Sequence, residues 1–428
     1  MSGLSNIRKL VRHRLVKNTA ALFIVQISTY AAPMLVLPYL SRVLSTDHFG
    51  LIAFATSFNW YFMSLVDYGF NLTATRRIAI HRDDPAEISR IFSSVMAAKV
   101  LLTVLGFALM LSVVMATPKL RPNLALFCIS YLLVVGDLLF PLWLFQGLQK
   151  MENLVWRDLS AKLTSLCLIF AFVHRDADYL RAAAFQSGSM ALAGVVGLWA
   201  VFASTPVRWI APKMSEVGSA LVEGWPVFLS LAAGTLTSST DVLILGLRSG
   251  PTDVAYYSNA YRLIVALRML VSPVVTALYP YISHMAFNSR ENAIAFLRKY
   301  SLVLAAPFFL GGVVLLVGAS PIVRLLFSAK YLPTVPLLRI MAFSPFLLAL
   351  QTSYSTFYML GFGYQKEWSR IILQTAVLNF VFLIPLLWLV WAPAAVSITG
   401  ILLDTFVTVA SYLFFLKSSV RVRETVTA

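Results

Sequence analysis

Arg262 and Arg268 lie inside the run 253–283, DVAYYSNAYRLIVALRMLVSPVVTALYPYIS, whose other residues are largely lipid-compatible. A guanidinium at the middle of a membrane helix costs roughly 3 kcal/mol on insertion scales, so it persists where it faces protein, water or an anionic ligand. Arginine also binds phosphate and carboxylate oxygens through paired N–H donors. The chemistry on offer is therefore anion binding within a membrane. The two arginines are six residues apart, about 120° around a helix, and share one cavity only if its face is broad or Pro273 distorts the helix. The other reading is a pair of arginines capped by carbonyls or carboxylates between helices. Asn259 stands one turn from Arg262.

Six more ionisable residues fall in or at the ends of apolar runs. Lys99 and Asp137 are expected at similar depth on adjacent antiparallel helices, which favours a buried salt bridge over a transport role. Asp67 near Arg76 and Arg77, and Asp241 near Arg248, read as ion pairs at the membrane edge. Either carboxylate is also a candidate for coupling-ion binding, as intramembrane acids often are. Asp404 has no evident partner, and Arg339 is placed to snorkel towards a helix end. Gln26, Ser28, Thr29 and Tyr30 form a polar belt before Pro33. Such a belt suits a cavity wall or hydrogen bonding between helices.

The elements that position these residues are membrane helices. The chain has 428 residues, is 59% hydrophobic and 12% charged, and has a mean hydropathy of +0.80. Soluble domains average about 25% charged residues, and a bilayer core of roughly 30 Å needs about 20 apolar residues per helix. The pattern predicts twelve helices, at about 18–41, 49–72, 88–115, 122–145, 159–174, 180–203, 218–246, 253–283, 299–318, 333–360, 369–391 and 393–416. The expected organisation is all-α, with six helices in 1–210 and six in 211–428. The basic tail before residue 18 leads into a run longer than a signal-peptide core, read as an uncleaved first helix.

The net charge of +16 is best read as loop charge rather than as a nucleic-acid footprint. With a cytoplasmic N-terminus, inner loops and tails hold 22 Lys and Arg against 8 outside, which places both termini in the cytoplasm. The four left over are Lys99, Arg262, Arg268 and Arg339. A weak internal repeat supports two parallel halves: Arg42-Val-Leu-Ser-Thr-Asp47 resembles Arg248-Ser-Gly-Pro-Thr-Asp253. Cys128 and Cys167 have no metal-ligand spacing, and the five histidines form no cluster. There is no GxxxxGK[ST], no zinc signature and no GxSxG, so neither a cofactor nor a metal is expected. No outer loop is long enough for a catalytic region, which counts against a glycan polymerase or ligase.

Several short segments resemble the bacterial polysaccharide flippases of the Wzx type, within the multidrug/oligosaccharidyl-lipid/polysaccharide exporter superfamily. They are LPYLSRVL at 37–44, VDYGF at 66–70, TRRIA at 75–79, FQGLQKM at 145–151, LILGL at 243–247, YYSNAYRL at 256–263 and LYPYIS at 278–283. Ser45 stands where such proteins often have Gly, and Gln149 where Glu is common. The resemblance implies a V-shaped transporter of twelve helices in two bundles, working by alternating access in the cytoplasmic (inner) membrane. Its implied substrate is an oligosaccharide on undecaprenyl pyrophosphate, moved from the inner to the outer leaflet, and other glycan-assembly membrane proteins are possible partners. In that setting Arg262 and Arg268 would meet the pyrophosphate, and Gln26, Tyr30, Asn59, Tyr256 and Asn259 would line the glycan's path. A multidrug antiporter of the same superfamily is the rival, but its cationic substrates favour carboxylates over arginines.

Overall fold

The computed structural model describes residues 35–150 and 152–427, and every regular element among them is helical. Gln26 and Tyr30 lie outside the described residues, as does most of the expected first helix. The chain packs as two compact units that divide between Leu247 and Arg248.

The first unit contains α1 (35–43), α2 (Thr46–Asp67), α3 (Phe70–Ile80) and α4 (Pro85–Ala116). A stepped span follows as α5 (Leu124–Ser130), α6 (Leu132–Leu139) and α7 (Leu142–Gly147). Then come α8 (Glu152–Phe172), α9 (Tyr179–Ser204) and α10 (Met214–Arg248). Ser45 caps α2, its side chain accepting from the His48 N–H at 3.2 Å. A serine hydroxyl serves there as glycine cannot. Asp84 caps α4, accepting from the N–H groups of Ala86 and Glu87, with Pro85 at the first helical position.

The expected helix 49–72 is divided. Tyr68 and Gly69 have φ of 48° and 79°, a left-handed step that ends α2 and starts α3. A side chain on Gly69 would also meet Val227 Cγ1 at 2.5 Å, so glycine is required there twice over. Between α6 and α9 the backbones nearly touch. A Cβ added to Gly136 would lie 2.5 Å from the Met190 carbonyl carbon, and one on Gly194 would lie 2.7 Å from the Gly136 oxygen. Small residues that admit such approach are the usual glue between membrane helices.

α10 is seated against the rest of the first unit: Gly246 faces Phe54 of α2, Gly224 faces Tyr68, and Tyr61 shares a hydrogen bond with Thr240 at 3.2 Å. Glu216, ahead of the apolar part of α10, accepts from Arg90 at 2.8 Å. That hydrogen bond holds its carboxyl below the usual carboxylate range.

The second unit runs α11 (Pro251–Arg268), α12 (Val271–Asn288), α13 (Arg290–Leu326), α14 (Thr334–Met341) and α15 (Ser344–Thr352). A π-helical segment, Ser353–Leu360, leads to α16 (Gln365–Leu389) and α17 (Ala392–Thr427). The break at Met269–Leu270 is where Pro273 leaves a carbonyl without its helical donor. Its core joins Tyr354, Phe357 and Tyr358 to Ile282, Leu297 and Phe415.

Among the described residues nine helices are long and apolar enough to cross a membrane. They cover nine of the twelve expected spans. Of the other three, 159–174 and 218–246 correspond to α8 and α10. The chain is a polytopic membrane protein.

Candidate functional site

Arg268 is the last residue of α11, and its guanidinium is held from two sides. Nη1 donates to Ser344 Oγ at 2.6 Å and to Asp404 Oδ2 at 2.7 Å, while Ser344 Oγ donates to the same carboxylate oxygen at 2.6 Å. The side chains of Arg268 and Asp404 remain 28% and 15% exposed. Asp404, without evident partner in the sequence, thus acquires one from a helix far back in the chain. This contact has the form of the carboxylate-capped reading of the arginine. It leaves Nη2 and Nε of Arg268 without an acceptor among the described residues.

One and a half turns earlier, Arg262 is half-buried and within electrostatic reach of Tyr331. Tyr256 packs edge-on to the Tyr331 ring, centroids 6.2 Å apart, and lies 6.3 Å from the Trp391 ring. Its backbone oxygen accepts from Thr334 at 3.2 Å. Asn259 is fully buried, and neither Oδ1 nor Nδ2 has a hydrogen-bond partner among the described residues. Leaving such groups unsatisfied costs about 1–3 kcal/mol each. The sequence pointed to Arg262, Arg268, Tyr256 and Asn259, and the fold puts all four on α11. Ser344, Tyr331 and the role of Asp404 were missed. Only Asp404, a carboxylate in an apolar run, gave a signal in advance.

In the first unit, Lys99 is 1% exposed and donates to Asp137 at both Oδ2 (3.0 Å) and the backbone oxygen (2.9 Å). Asp67 accepts from Asn71 Nδ2 at 2.6 Å and is within electrostatic reach of both Asp137 and Lys99. Its expected partners, Arg76 and Arg77, form no ion pair with it among the described residues. Arg77 approaches Glu223 at 3.8 Å and Glu87 at 4.0 Å instead. Arg248, expected beside Asp241, donates to the Leu387 oxygen at 3.0 Å and lies over Trp388. Asp241 is within electrostatic reach of Tyr61. Asn59 is fully buried and donates to the Phe127 oxygen at 3.3 Å, while its own Oδ1 has no partner among the described residues. Arg339 is exposed. The described residues hold no cluster of metal-ligating side chains.

Comparison with solved structures places this helical arrangement. The chain aligns over 95% of its length, and 91% of the other, with "Lipid II flippase MurJ, inward closed conformation", at a TM-score of 0.68 and 12% identity. It aligns over 95%, and 96% of the other chain, with an inward-facing multidrug resistance MATE family transporter of the MOP superfamily, at 0.63 and 14%. At such identities the likeness concerns the fold. In sequence the chain is 32% identical to an Escherichia coli (strain K12) protein named "Putative O-antigen transporter", over 86% of this chain and 89% of that one. A protein of the same name from Shigella dysenteriae is 30% identical over 87% and 93%. Residues 15–286 match the family described as polysaccharide biosynthesis protein, and the chain belongs to that family.

Proposed function

We propose that this protein is a flippase for lipid-linked glycan, not an enzyme. It would move undecaprenyl-pyrophosphate-linked oligosaccharide from the inner to the outer leaflet of the bacterial cytoplasmic membrane by alternating access. Twelve spans in two six-helix halves, 1–210 and 211–428, with both termini cytoplasmic, belong to this reading. Relatives named as O-antigen transporters, and a fold shared with a lipid II flippase, support it. The observation that carries it to residues is α11, which holds two arginines, a buried amide without partners and an aromatic wall. Arg262 and the uncommitted edge of Arg268 suit a pyrophosphate, since arginine takes phosphate oxygens in paired geometry. Asn259, Tyr256 and Asn59, with Gln26 and Tyr30, are assigned to the glycan.

The test is a leaflet assay of lipid-linked oligosaccharide after depletion of the protein. Accumulation on the inner leaflet supports flipping. Unpolymerised product outside points to a polymerase or ligase instead. Complementation with Arg262→Ala and Arg268→Ala should leave inserted protein but no surface glycan; normal display from both would remove the arginines from the mechanism. The multidrug reading would require efflux of cationic dyes, which this proposal does not predict.

A further inference from the structure

Arg268 and Asp404 meet at a single point. One carboxylate oxygen, Oδ2, accepts from Arg268 Nη1 at 2.7 Å and from Ser344 Oγ at 2.6 Å, and the same Nη1 donates to that hydroxyl. The strong form of such a pair is the fork, with two parallel N–H donors on two oxygens, and this pair does not use it. Nor is it sealed, since the two side chains remain 28% and 15% exposed. Asp404 is also placed unlike the other acids of the second unit. Asp253, Glu291 and Glu367 stand in the first turns of α11, α13 and α16, and Glu424 in the last turn of α17. Asp404 alone lies well inside a span of membrane-crossing length and composition. Acids at such depth pair with a cation or mark a substrate or proton path. A pair held at one point and open on one side fits both descriptions.

Such a pair is one that a better anion can replace. A diphosphate brings several oxygens and can take the Nε–Nη2 edge side-on, which Asp404 leaves without an acceptor among the described residues. Two anions on one guanidinium then stand within a few ångströms of each other. Inside a membrane that repulsion is relieved by a proton, and the carboxylate takes it, because the first ionisation of a phosphate is far more acidic. We infer that Asp404 is an internal competitor for the anion site at Arg268. The substrate's diphosphate binds as Asp404 takes one proton from water, forming an O–H bond; loss of that proton returns the carboxylate to Arg268 and expels the diphosphate. Arginine and carboxylate cancel before binding, and arginine and one phosphate charge cancel after it. Ser344, both donor and acceptor, has a partner in either state. The helices packed on α17 bring no second charge into hydrogen-bond contact with the carboxylate among the described residues. Arg262 stands six residues back on α11, Arg339 of α14 is exposed, and α15 is uncharged. The charges of α16 fall in its first six residues and those of α13 towards its two ends. This inference rests on the flippase reading and adds the residue that sets how tightly, and at what pH, its anion is held.

The experiment measures binding of farnesyl diphosphate to the full-length protein in lipid nanodiscs, between about pH 6 and about pH 8. Asp404→Asn removes the competitor and its proton together. It should bind about tenfold more tightly than wild type at the alkaline end. The gap should close by about threefold per pH unit towards the acid end, because only wild type takes up a proton at Asp404 on binding. Titration of the ligand is common to both proteins and cancels in the ratio. Ser344→Ala takes a donor from the carboxylate and should tighten binding by about threefold, with the pH dependence kept. It carries the test where Asp404→Asn gives too little folded protein. Translocation of lipid-linked glycan by Asp404→Asn should fall although binding tightens, whereas a merely structural role for Asp404 would lower both. An Asp404→Asn protein that binds no more tightly than wild type, or a gap constant in pH, overturns the inference and leaves the flippase reading standing. Equal binding by wild type and Arg268→Ala is a different failure, which takes Arg268 out of the phosphate site and the competitor with it.

Discussion

Replacing Lys99 by methionine should be among the most damaging single changes in the first unit. The ammonium is 1% exposed and sits 3.0 Å from Asp137 Oδ2. At that distance the pair interacts by about 5.5 kcal/mol at an effective dielectric of about 20. Breaking a buried pair by removing one partner costs about 3–5 kcal/mol, because the remaining charge is stranded. Here the penalty has a second part. Asp67 is close enough to interact with both members, so Lys99→Met leaves two carboxylates facing each other with no cation between them. Asp137→Asn is gentler: Nζ keeps the backbone oxygen at 2.9 Å and gains an amide oxygen. The expected order is Lys99→Met at about 4 kcal/mol or more and Asp137→Asn at about 2, with the double variant costing less than Lys99→Met alone. The assay is equilibrium unfolding in mixed micelles for all four members of the cycle. A coupling energy of about 2 kcal/mol or more is expected, whereas independent sites add to within about 0.5. Additivity would refute a structural pair, and a costlier Asp137→Asn would refute the role given to Asp67.

Asp404→Asn should destabilise the second unit by about 2 kcal/mol, less than a fully buried break because Arg268 is about a quarter exposed. Combining it with Arg268→Ala should recover stability, read by the same unfolding assay, but not surface-glycan display. Asn259→Leu removes two buried polar groups without partners. It should raise stability by about 2 kcal/mol or more while lowering translocation; unchanged translocation would take the amide out of the substrate path. Gly136→Ala pushes a methyl into the Met190 backbone and should cut folded yield severely. Gly188→Ala has open space at its Cβ and should leave the yield unchanged, as measured by size-exclusion of detergent extracts.

What the sequence made legible was decided by whether something fixed depth. Lys99 and Asp137 lie on consecutive helices, so a short loop ties their heights together and the spacing alone brings them level. Arg268 and Asp404 are 136 residues apart, and no connection constrains their relative depth; only packing of α11 with α15 and α17 brings them together. Asp67 misled for the opposite reason. Arg76 and Arg77 are close to it in sequence, but nine or ten residues of helix already span about 14–15 Å, and the left-handed step at Tyr68 and Gly69 redirects the chain before either arginine. The glycine was visible in VDYGF, but its consequence depends on Val227, a neighbour from α10. Helix starts were legible for the same local reason that breaks without proline were not. Asp47 and Asp253, the matching ends of the weak repeat, both fall in the first turn of a helix, α2 and α11. An acid there meets the positive end of the helix dipole whatever the rest of the fold does. The steps between α5 and α6 and the π-helical segment at Ser353–Leu360 answer to packing alone. A charge inside a membrane thus announces that a partner exists, and only the connection between helices says which one.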